Sequence, residues 1–428
     1  MNLATLDQHE TISSLPVAEL IRDLLTPPST VATKDLVEQS GLARIHEWAE
    51  IARLGAFYRG PEFQNSALET FAQLQSEAPE VTGRRLSSPI FRGWLNWTGY
   101  AFCHLENSAP LVDSQLRLWN NMRFSLAEPG NFEAVLAVVD GICFSWDPRL
   151  TVEVGDRTEV FVHRDGTKLT VRDLAGAMLW KGHVDPHGCG VEEAALGCNI
   201  QPAPNLPDTG VVVRSDIPAL RLRLSGTCER ESEIMVGELG QRELYANTSP
   251  TLCMEAADLL RLAWVDEYRD FHETLQVVVP CAVAGVGMTV SSHQGAVWIM
   301  ATNLLGVYES LVHEQSHVKL RYIEECYPIL EPKQNEERFR VAWRPDPRPL
   351  IGIYEGIYVS IHSAWAISRA LGAGLVPVRE RGSWRFRLEQ LIKNVGEALP
   401  VLEHNATFTA AGRVFIPWVA QSLESVPA

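Results

Sequence analysis

The 428-residue sequence has no uninterrupted hydrophobic run long enough to cross a bilayer. Its longest apolar stretch, residues 277–290, is broken by Pro280, Gly285 and Gly287 and is shorter than the roughly 20 residues that a membrane helix requires. Residues 1–10 lack the basic residues and the hydrophobic segment of a secretion signal. We therefore expect a cytoplasmic protein that has no membrane partner.

Closely spaced cysteines are also absent, because the 8 cysteines never form a CxxC pair. This excludes iron–sulfur sites built from such pairs and is typical of free thiols in a reducing cytosol. An excess of positive charge is absent as well, since the formal net charge is −16. The chain therefore lacks the basic surface by which nucleic acid or an anionic membrane is recognised.

What the sequence does contain is an HExxH motif at residues 313–317. Residues four apart lie on one face of an α-helix, so His313 and His317 can bind one metal ion while Glu314 points beside it. Apolar residues at helical spacing surround the motif until Pro328 ends the pattern. The motif therefore predicts a metal site in the middle of a half-buried helix, with Glu314 as the catalytic residue.

The rest of the chain predicts a predominantly helical α+β fold with two or three domains. We interpret residues 1–148 as a helical N-terminal region, residues 149–240 as a β-rich middle region suited to substrate binding, and residues 241–428 as the HExxH catalytic domain. The first region contains large side chains that we expect to be buried, namely Trp48, Trp94, Trp97 and Trp119.

Within the middle region, period-two patterns at residues 158–163 and 168–172 predict a β-hairpin. The segment from His183 to Pro207 is rich in glycine and proline and is predicted to be a loop. Three side chains of metal-binding type fall in this segment and are interpreted as loop residues, namely His183, His187 and Cys189.

In the last region, a helix is predicted from Ser249-Pro250 towards Thr274. Apolar runs at residues 276–280 and 296–301 predict strands, and the second run leads directly into the HExxH helix. A strand that leads into a metal-binding helix is typical of a zincin-like arrangement, so we expect the helix to pack on a small sheet. A further helix is predicted at residues 350–371.

Two histidines leave a catalytic metal site one protein ligand short. Glu355 is the main candidate, because an isolated carboxylate in the apolar stretch 350–361 is costly to bury without a metal ion or a cation. A buried ion pair and a solvent-exposed position on the helix surface are the other interpretations of Glu355. His362 is the alternative ligand on the same helical face, and Glu336 is a second alternative at gluzincin-like spacing.

From about Ser249 to Leu423 the order of segments resembles the HExxH-type peptide β-hydroxylases, which depend on 2-oxoglutarate and modify ribosomally made peptides. The resemblance is based on HExxHxKL at residues 313–320, on WRPDPRP at residues 343–349 and on the glycine-containing apolar segment 352–359.

This resemblance implies Fe(II) as the metal, 2-oxoglutarate as the cosubstrate and a precursor peptide as the substrate, hydroxylated at a side-chain Cβ. Two histidines and one carboxylate form the ligand set of non-haem iron oxygenases. The distal carboxylate of 2-oxoglutarate needs a cation, for which Arg348, Arg344 and Lys319 are the candidates.

A gluzincin-type zinc metallopeptidase is the main alternative, with Glu314 as the general base beside His313 and His317. Metal identity and cosubstrate separate the two enzymes. A non-catalytic peptide-binding protein with a vestigial site is the third interpretation, and loss of metal on purification would favour it.

Overall fold

The computed structural model describes a large part of the chain, and its fold is α+β and mostly helical, as predicted. The described residues are 17–26, 30–103, 112–113, 115–126, 131–139, 142–143, 150–185, 188–196, 198–202, 204–214, 249–281, 287–332, 334 and 337–426. None of the described helices is both long and apolar enough to span a membrane.

The main helices fall into an N-terminal group and a C-terminal group, and the second group contains the helix with the HExxH motif. In chain order they are α1 (Val17–Leu25), α2 (Thr30–Arg59), α3 (Pro61–Ser76), α4 (Pro79–Leu86), α5 (Pro89–Cys103), α6 (Trp119–Leu126), α7 (Pro250–Ala263), α8 (Val265–Thr274), α9 (Leu304–Cys326), α10 (Leu350–Gly372), α11 (Arg381–Asn405) and α12 (Phe415–Ser425). The single helix predicted towards Thr274 is interrupted at Trp264, which leaves the helical conformation.

An 8-stranded antiparallel sheet forms the middle of the chain, in the order β7-β6-β5-β4-β1-β2-β3-β8. Its strands are β1 (Phe132–Val139), β2 (Ile142–Cys143), β3 (Leu150–Glu153), β4 (Glu159–Asp165), β5 (Lys168–Arg172), β6 (Met178–Asp185), β7 (Gly188–Ala194) and β8 (Asn199–Pro202). The predicted hairpin is confirmed as β4 and β5, which pair from Phe161↔Arg172 to Asp165↔Lys168.

The loop predicted from His183 to Pro207 was wrong, because β7, β8 and the end of β6 lie in this segment. Glycine here serves close packing between strands. A Cβ added to Gly190 would lie 1.9 Å from the ring of His183. His183 therefore belongs to strand β6, and its ring packs over Gly190 of the neighbouring strand β7. His187 lies outside the described residues.

A second, 4-stranded sheet carries the HExxH helix, in the order β11-β12-β10-β9. Its strands are β9 (Val212–Val213), β10 (Val277–Pro280), β11 (Gly287–Thr289) and β12 (Ala296–Ile299). The strands predicted at 276–280 and 296–301 are thus confirmed as β10 and β12, which are parallel, while β11 is antiparallel to β12 at the edge.

Alternate side chains of this sheet enter two different cores, as the period of a strand requires. Val278 and Val297 join the core that surrounds α9 and α10. Val277 and Trp298 join the core of the N-terminal helices. Helices α3 to α6 and the later part of α2 therefore form the back layer of the sheet, whereas α1 and the start of α2 pack on the side of the HExxH helix.

Aromatic packing holds the N-terminal layer together. Trp48, Trp94 and Trp119 are buried as predicted, and the rings of Trp48 and Trp119 stack with centroids 5.7 Å apart. The burial predicted for Trp97 was wrong, since this side chain is only half-buried. It packs edge-on against Tyr100 near the end of α5.

Candidate metal centre

Helix α9 places His313 and His317 side by side on one face, with ring centroids 5.0 Å apart. The helix begins where sequence signals require, because the side chain of Asn303 accepts a 2.9 Å hydrogen bond from the backbone N–H of Gly306. The motif spans the third and fourth turns of the helix, where Leu311 and Val312 are fully buried in the core. The two imidazoles are thus held on a rigid element.

Burial keeps both imidazoles neutral. It lowers the pKa of His313 to about 4 and the pKa of His317 well below its ordinary value. The Nδ1 atom of His313 is buried and has no hydrogen-bond partner in the described part of the chain. Neutral histidine is the form that binds metal ions, so this pair fits two of the ligands of a metal centre.

Glu309 lies one turn before His313, but its carboxylate is already engaged. Arg387 of α11 donates to it through Nε at 2.8 Å and through Nη2 at 2.5 Å. Both carboxylate oxygens therefore accept hydrogen bonds from one guanidinium group. This bidentate pair fixes the start of the histidine face.

Glu314 lies beside the histidines and faces strand β11. Burial raises its pKa to about 8, against the opposing influence of Thr289 and of the Arg321 and Arg344 charges. A Cβ added to Gly287 would lie 2.7 Å from Cγ of Glu314. Strand β11 can therefore lie this close to the Glu314 side chain only because residue 287 is glycine. Glu314 is therefore a buried acid that can hold or release a proton close to neutral pH.

No third histidine, cysteine, aspartate or glutamate joins the histidine pair within the residues that the structure describes. Glu355 is half-buried in the second turn of α10, and its assignment as a ligand stays a prediction. Glu336 lies outside the described residues.

The alternative ligand His362 occupies a different environment, the aromatic core between α10 and α12. Its Nε2 lies 3.1 Å from the carbonyl oxygen of Leu25, and its Nδ1 lies 3.5 Å from Oε2 of Glu267. Its ring packs 4.4 Å from the ring of Tyr358. Both nitrogens thus face partners other than the histidine pair.

The three basic residues predicted to hold 2-oxoglutarate lie in three different environments. Arg344 is exposed. Its charge reaches the motif, because after burial it is a further influence on the pKa values of His313, Glu314 and His317. Arg348, in the same turn, forms a 3.0 Å ion pair with Asp346.

Lys319 is fully buried and pairs with Asp270 of α8, which is also fully buried. It follows His317 by two residues, about 200° round the helix, and therefore points away from the histidine face. The structure thus corrects its assignment as a cosubstrate-binding residue. Lys319 instead ties the back of the HExxH helix to α8.

Packing of Trp343 on α10 positions the turn that carries Arg344. A Cβ added to Gly356 would lie 2.9 Å from Cζ2 of the Trp343 indole, whereas one added to Gly352 would meet Pro349 only at 3.8 Å. The absence of a side chain at Gly356 therefore lets the Trp343 indole pack against α10. This packing also positions Arg344, the next residue in the chain.

We expect Gly356→Ala to be less stable than Gly352→Ala by about 1–3 kcal/mol. Both variants gain the same helix propensity, but only the first forces the indole to shift. Urea unfolding of the two variants measures this difference. Equal free energies of unfolding would contradict the packing of Trp343 on Gly356.

One basic residue of the site was missed by the sequence predictions. Arg321 follows His317 by four residues, so the helical spacing that identified the histidines places it on the same face. Its charge is a further influence, after burial, on the pKa values of Glu314 and His317. The signal was present in the sequence, one turn beyond the motif.

Comparison with known proteins adds no identification: no protein-family model and no curated protein sequence matches this chain.

Proposed function

We propose that this protein is an Fe(II)- and 2-oxoglutarate-dependent dioxygenase that hydroxylates a side-chain Cβ of a ribosomally made precursor peptide. The observation that carries the proposal is the pair of half-buried, neutral histidines with guanidinium charge beside it. Neutral imidazoles suit a metal ion, and a neighbouring cation suits an anionic cosubstrate. The resemblance of residues 313–320 and 343–349 to peptide β-hydroxylases supplies the reaction.

In this proposal His313, His317 and Glu355 hold the iron. Bound together, iron and 2-oxoglutarate supply the activation of O₂ that hydroxylation requires, giving succinate and CO₂ as co-products. The protein itself supplies two neutral donors on a rigid helix, a buried acid at Glu314 and a cation at Arg344. Glu314 orients the neighbouring groups and can hold a proton beside them.

The proposed fold is zincin-like, with β12 leading into α9 and the antiparallel strand β11 at the edge of the sheet. In the described part of the chain β11 pairs only with β12, and its three residues are partly exposed. Because β11 contacts Glu314 through Gly287, a peptide added to its outer edge would run beside the histidines. An extended peptide substrate fits this edge.

A gluzincin-type zinc metallopeptidase remains the second candidate, because one observation favours it. Glu314 is buried next to the histidine pair with its pKa raised to about 8, which also suits the general base of a peptidase. Both candidates use His313, His317 and the β11 edge. The metal and the cosubstrate distinguish them.

Product analysis tests the proposal directly. Protein loaded with Fe(II) and supplied with 2-oxoglutarate, O₂ and the precursor peptide is expected to form succinate and a peptide that contains one additional oxygen atom. The zinc-loaded protein serves as the matched control and is expected to form neither product. Peptide fragments without succinate would contradict the oxygenase and identify a peptidase.

A further inference from the structure

Helix α1 is held at its C-terminal end by a histidine of α10. The Nε2 atom of His362 lies 3.1 Å from the carbonyl oxygen of Leu25, the last residue of α1. A carbonyl oxygen can only accept a hydrogen bond, so Nε2 carries a proton and donates it. One residue further along the chain, Oγ1 of Thr26 accepts a 2.9 Å hydrogen bond from Nε1 of Trp418. Side chains of α10 and α12 therefore fasten the end of α1.

The other ring nitrogen of His362 faces a carboxylate in the protein interior. Nδ1 lies 3.5 Å from Oε2 of Glu267 in α8, and both side chains are fully buried. Within the described residues, neither oxygen of Glu267 has a hydrogen-bond partner. If Nδ1 carried no proton, two acceptors would face each other in a place from which water is excluded, and this arrangement is costly. A proton held between His362 and Glu267 removes the conflict.

Two features place this proton on His362 rather than on Glu267. The backbone carbonyls at the C-terminus of a helix favour a positive charge, and Leu25 is the last residue of α1. A buried carboxylate needs a counter-charge, and His362 is the ion-pair partner of Glu267 in the described part of the chain. An imidazolium ion at this position therefore has negative charge on one side and partial negative charge on the other.

The remaining titratable and charged side chains around this pair come from α8, α9 and α10, namely Asp270, Tyr308, Lys319, Tyr358 and Arg369. Lys319 and Asp270 form an ion pair, so their charges balance. Arg369 lies over the ring of Trp264, 4.9 Å from its centroid. Burial raises the pKa values of both tyrosines, so their hydroxyl groups keep their protons. The charged side chains of α1 and α12 are exposed.

We infer that His362 is an imidazolium ion in the folded protein and that it forms, with Glu267 and the carbonyl group of Leu25, a proton-dependent clamp on α1. The clamp holds while the proton is bound and weakens when the proton is lost. Because α1 packs in the same core as the HExxH helix, the clamp makes one wall of that core sensitive to pH. This inference involves neither a metal ion nor a cosubstrate and is independent of the proposed function.

The clamp becomes weaker as pH rises. A histidine exposed to water loses its proton at about pH 6.5, so above this pH the detachment of α1 is accompanied by release of the proton. The attached state thus binds one proton more than the detached state, and the attachment equilibrium falls by up to about tenfold per pH unit. At about pH 6 and just below, the stabilisation by the clamp is present in full.

Hydrogen exchange of the α1 amides measures the attachment of this helix. Exchange in the full-length protein is followed by mass spectrometry between about pH 6 and pH 9, and each rate is divided by the rate of the unstructured chain at the same pH to give a protection factor. Glu267→Gln is the test variant, because its amide can donate to an unprotonated Nδ1 and no charge is required. Glu255→Gln is the matched control, since it removes an exposed carboxylate of α7.

We expect the α1 protection factor of wild type and of Glu255→Gln to fall by roughly tenfold per pH unit above about pH 7. In Glu267→Gln it should be independent of pH in this range. A pH-independent wild type would overturn the clamp. A Glu267→Gln variant that loses protection equally at every pH, with the wild-type slope, would also overturn it, because a purely structural role gives that result. An equal fall in α3 would show that the pH effect does not arise at α1, and it too would overturn the clamp.

Nuclear magnetic resonance of the ¹⁵N-histidine-labelled protein tests the protonation state without a Glu267 variant. At about pH 7.5, where an exposed histidine is mostly neutral, wild type should contain a histidine that carries protons on both ring nitrogens. Its signals should be absent from His362→Gln, whose amide can still donate to the carbonyl group of Leu25. A neutral His362 ring at this pH would overturn the inference.

Discussion

Replacement of His313 or His317 by alanine is expected to weaken Fe(II) binding by more than about 100-fold and to abolish activity. Each substitution removes one of two neutral imidazoles that share a helical face. Replacing a residue that only hydrogen-bonds to a metal ligand already lowers metal affinity by about 10- to 100-fold, so loss of a ligand should lower it further. Equilibrium dialysis against Fe(II) without O₂ measures the loss. The free energy of unfolding without metal should change much less than the metal affinity.

His46→Ala provides the matched control for these variants, because His46 is an exposed histidine on α2. It should bind Fe(II) as wild type does. Full Fe(II) occupancy in either His313→Ala or His317→Ala would show that the metal lies elsewhere. The same assay applied to Glu355→Ala tests the third ligand, for which unchanged affinity would favour Glu336.

Lys319→Met is expected to lower the free energy of unfolding by about 3–5 kcal/mol. Lys319 and Asp270 are both fully buried and form an ion pair, and removal of the ammonium group leaves a buried carboxylate uncompensated. Urea unfolding with a probe of secondary structure measures the loss. A change below about 1 kcal/mol would contradict the buried pair, because exposed pairs contribute no more than that.

The double variant Lys319→Met/Asp270→Leu removes both charges and is expected to recover most of the lost stability. It also separates the structural role of Lys319 from the cosubstrate role that the sequence predicted. The folded double variant should bind 2-oxoglutarate with wild-type affinity. A large loss of 2-oxoglutarate affinity, with stability restored, would return Lys319 to the cosubstrate site.

The elements around the motif could be predicted because local signals determine them. Asn303 caps the start of the HExxH helix. The apolar pattern of the helix predicted an end at Pro328, and the helix ends at Cys326. Short apolar runs identified β10 and β12, which are buried on both faces. The histidine pair followed from helical spacing alone. These features depend on residues that are close in sequence.

Other features depend on contacts between distant segments, which the sequence does not display. Glycines at 182 and 190 are typical of a loop, yet Gly190 leaves room for the His183 ring of the neighbouring strand, and Gly182 leaves room for the Trp180 indole of its own strand. The proposed third ligand, Glu355, depends on how α10 lies against α9, which no local pattern predicts. Lys319 could have been assigned correctly, since its helical angle places it opposite His317.

Arg321 illustrates a different kind of omission. The HExxH pattern ends at His317, but the face of the helix continues, and the next residue on it is a cation. Extension of a motif by whole helical turns therefore identifies residues that a fixed pattern leaves out. The approach of Ser291 to Arg321 required the tertiary structure.

The central claim is that the histidine pair binds iron together with 2-oxoglutarate, and anaerobic ultraviolet–visible titration tests it most directly. Metal-free protein is titrated first with Fe(II) and then with 2-oxoglutarate. The account predicts a weak visible charge-transfer band that requires both components and is absent from His313→Ala. Absence of the band in wild type, together with tight retention of zinc, would contradict the account and favour the peptidase.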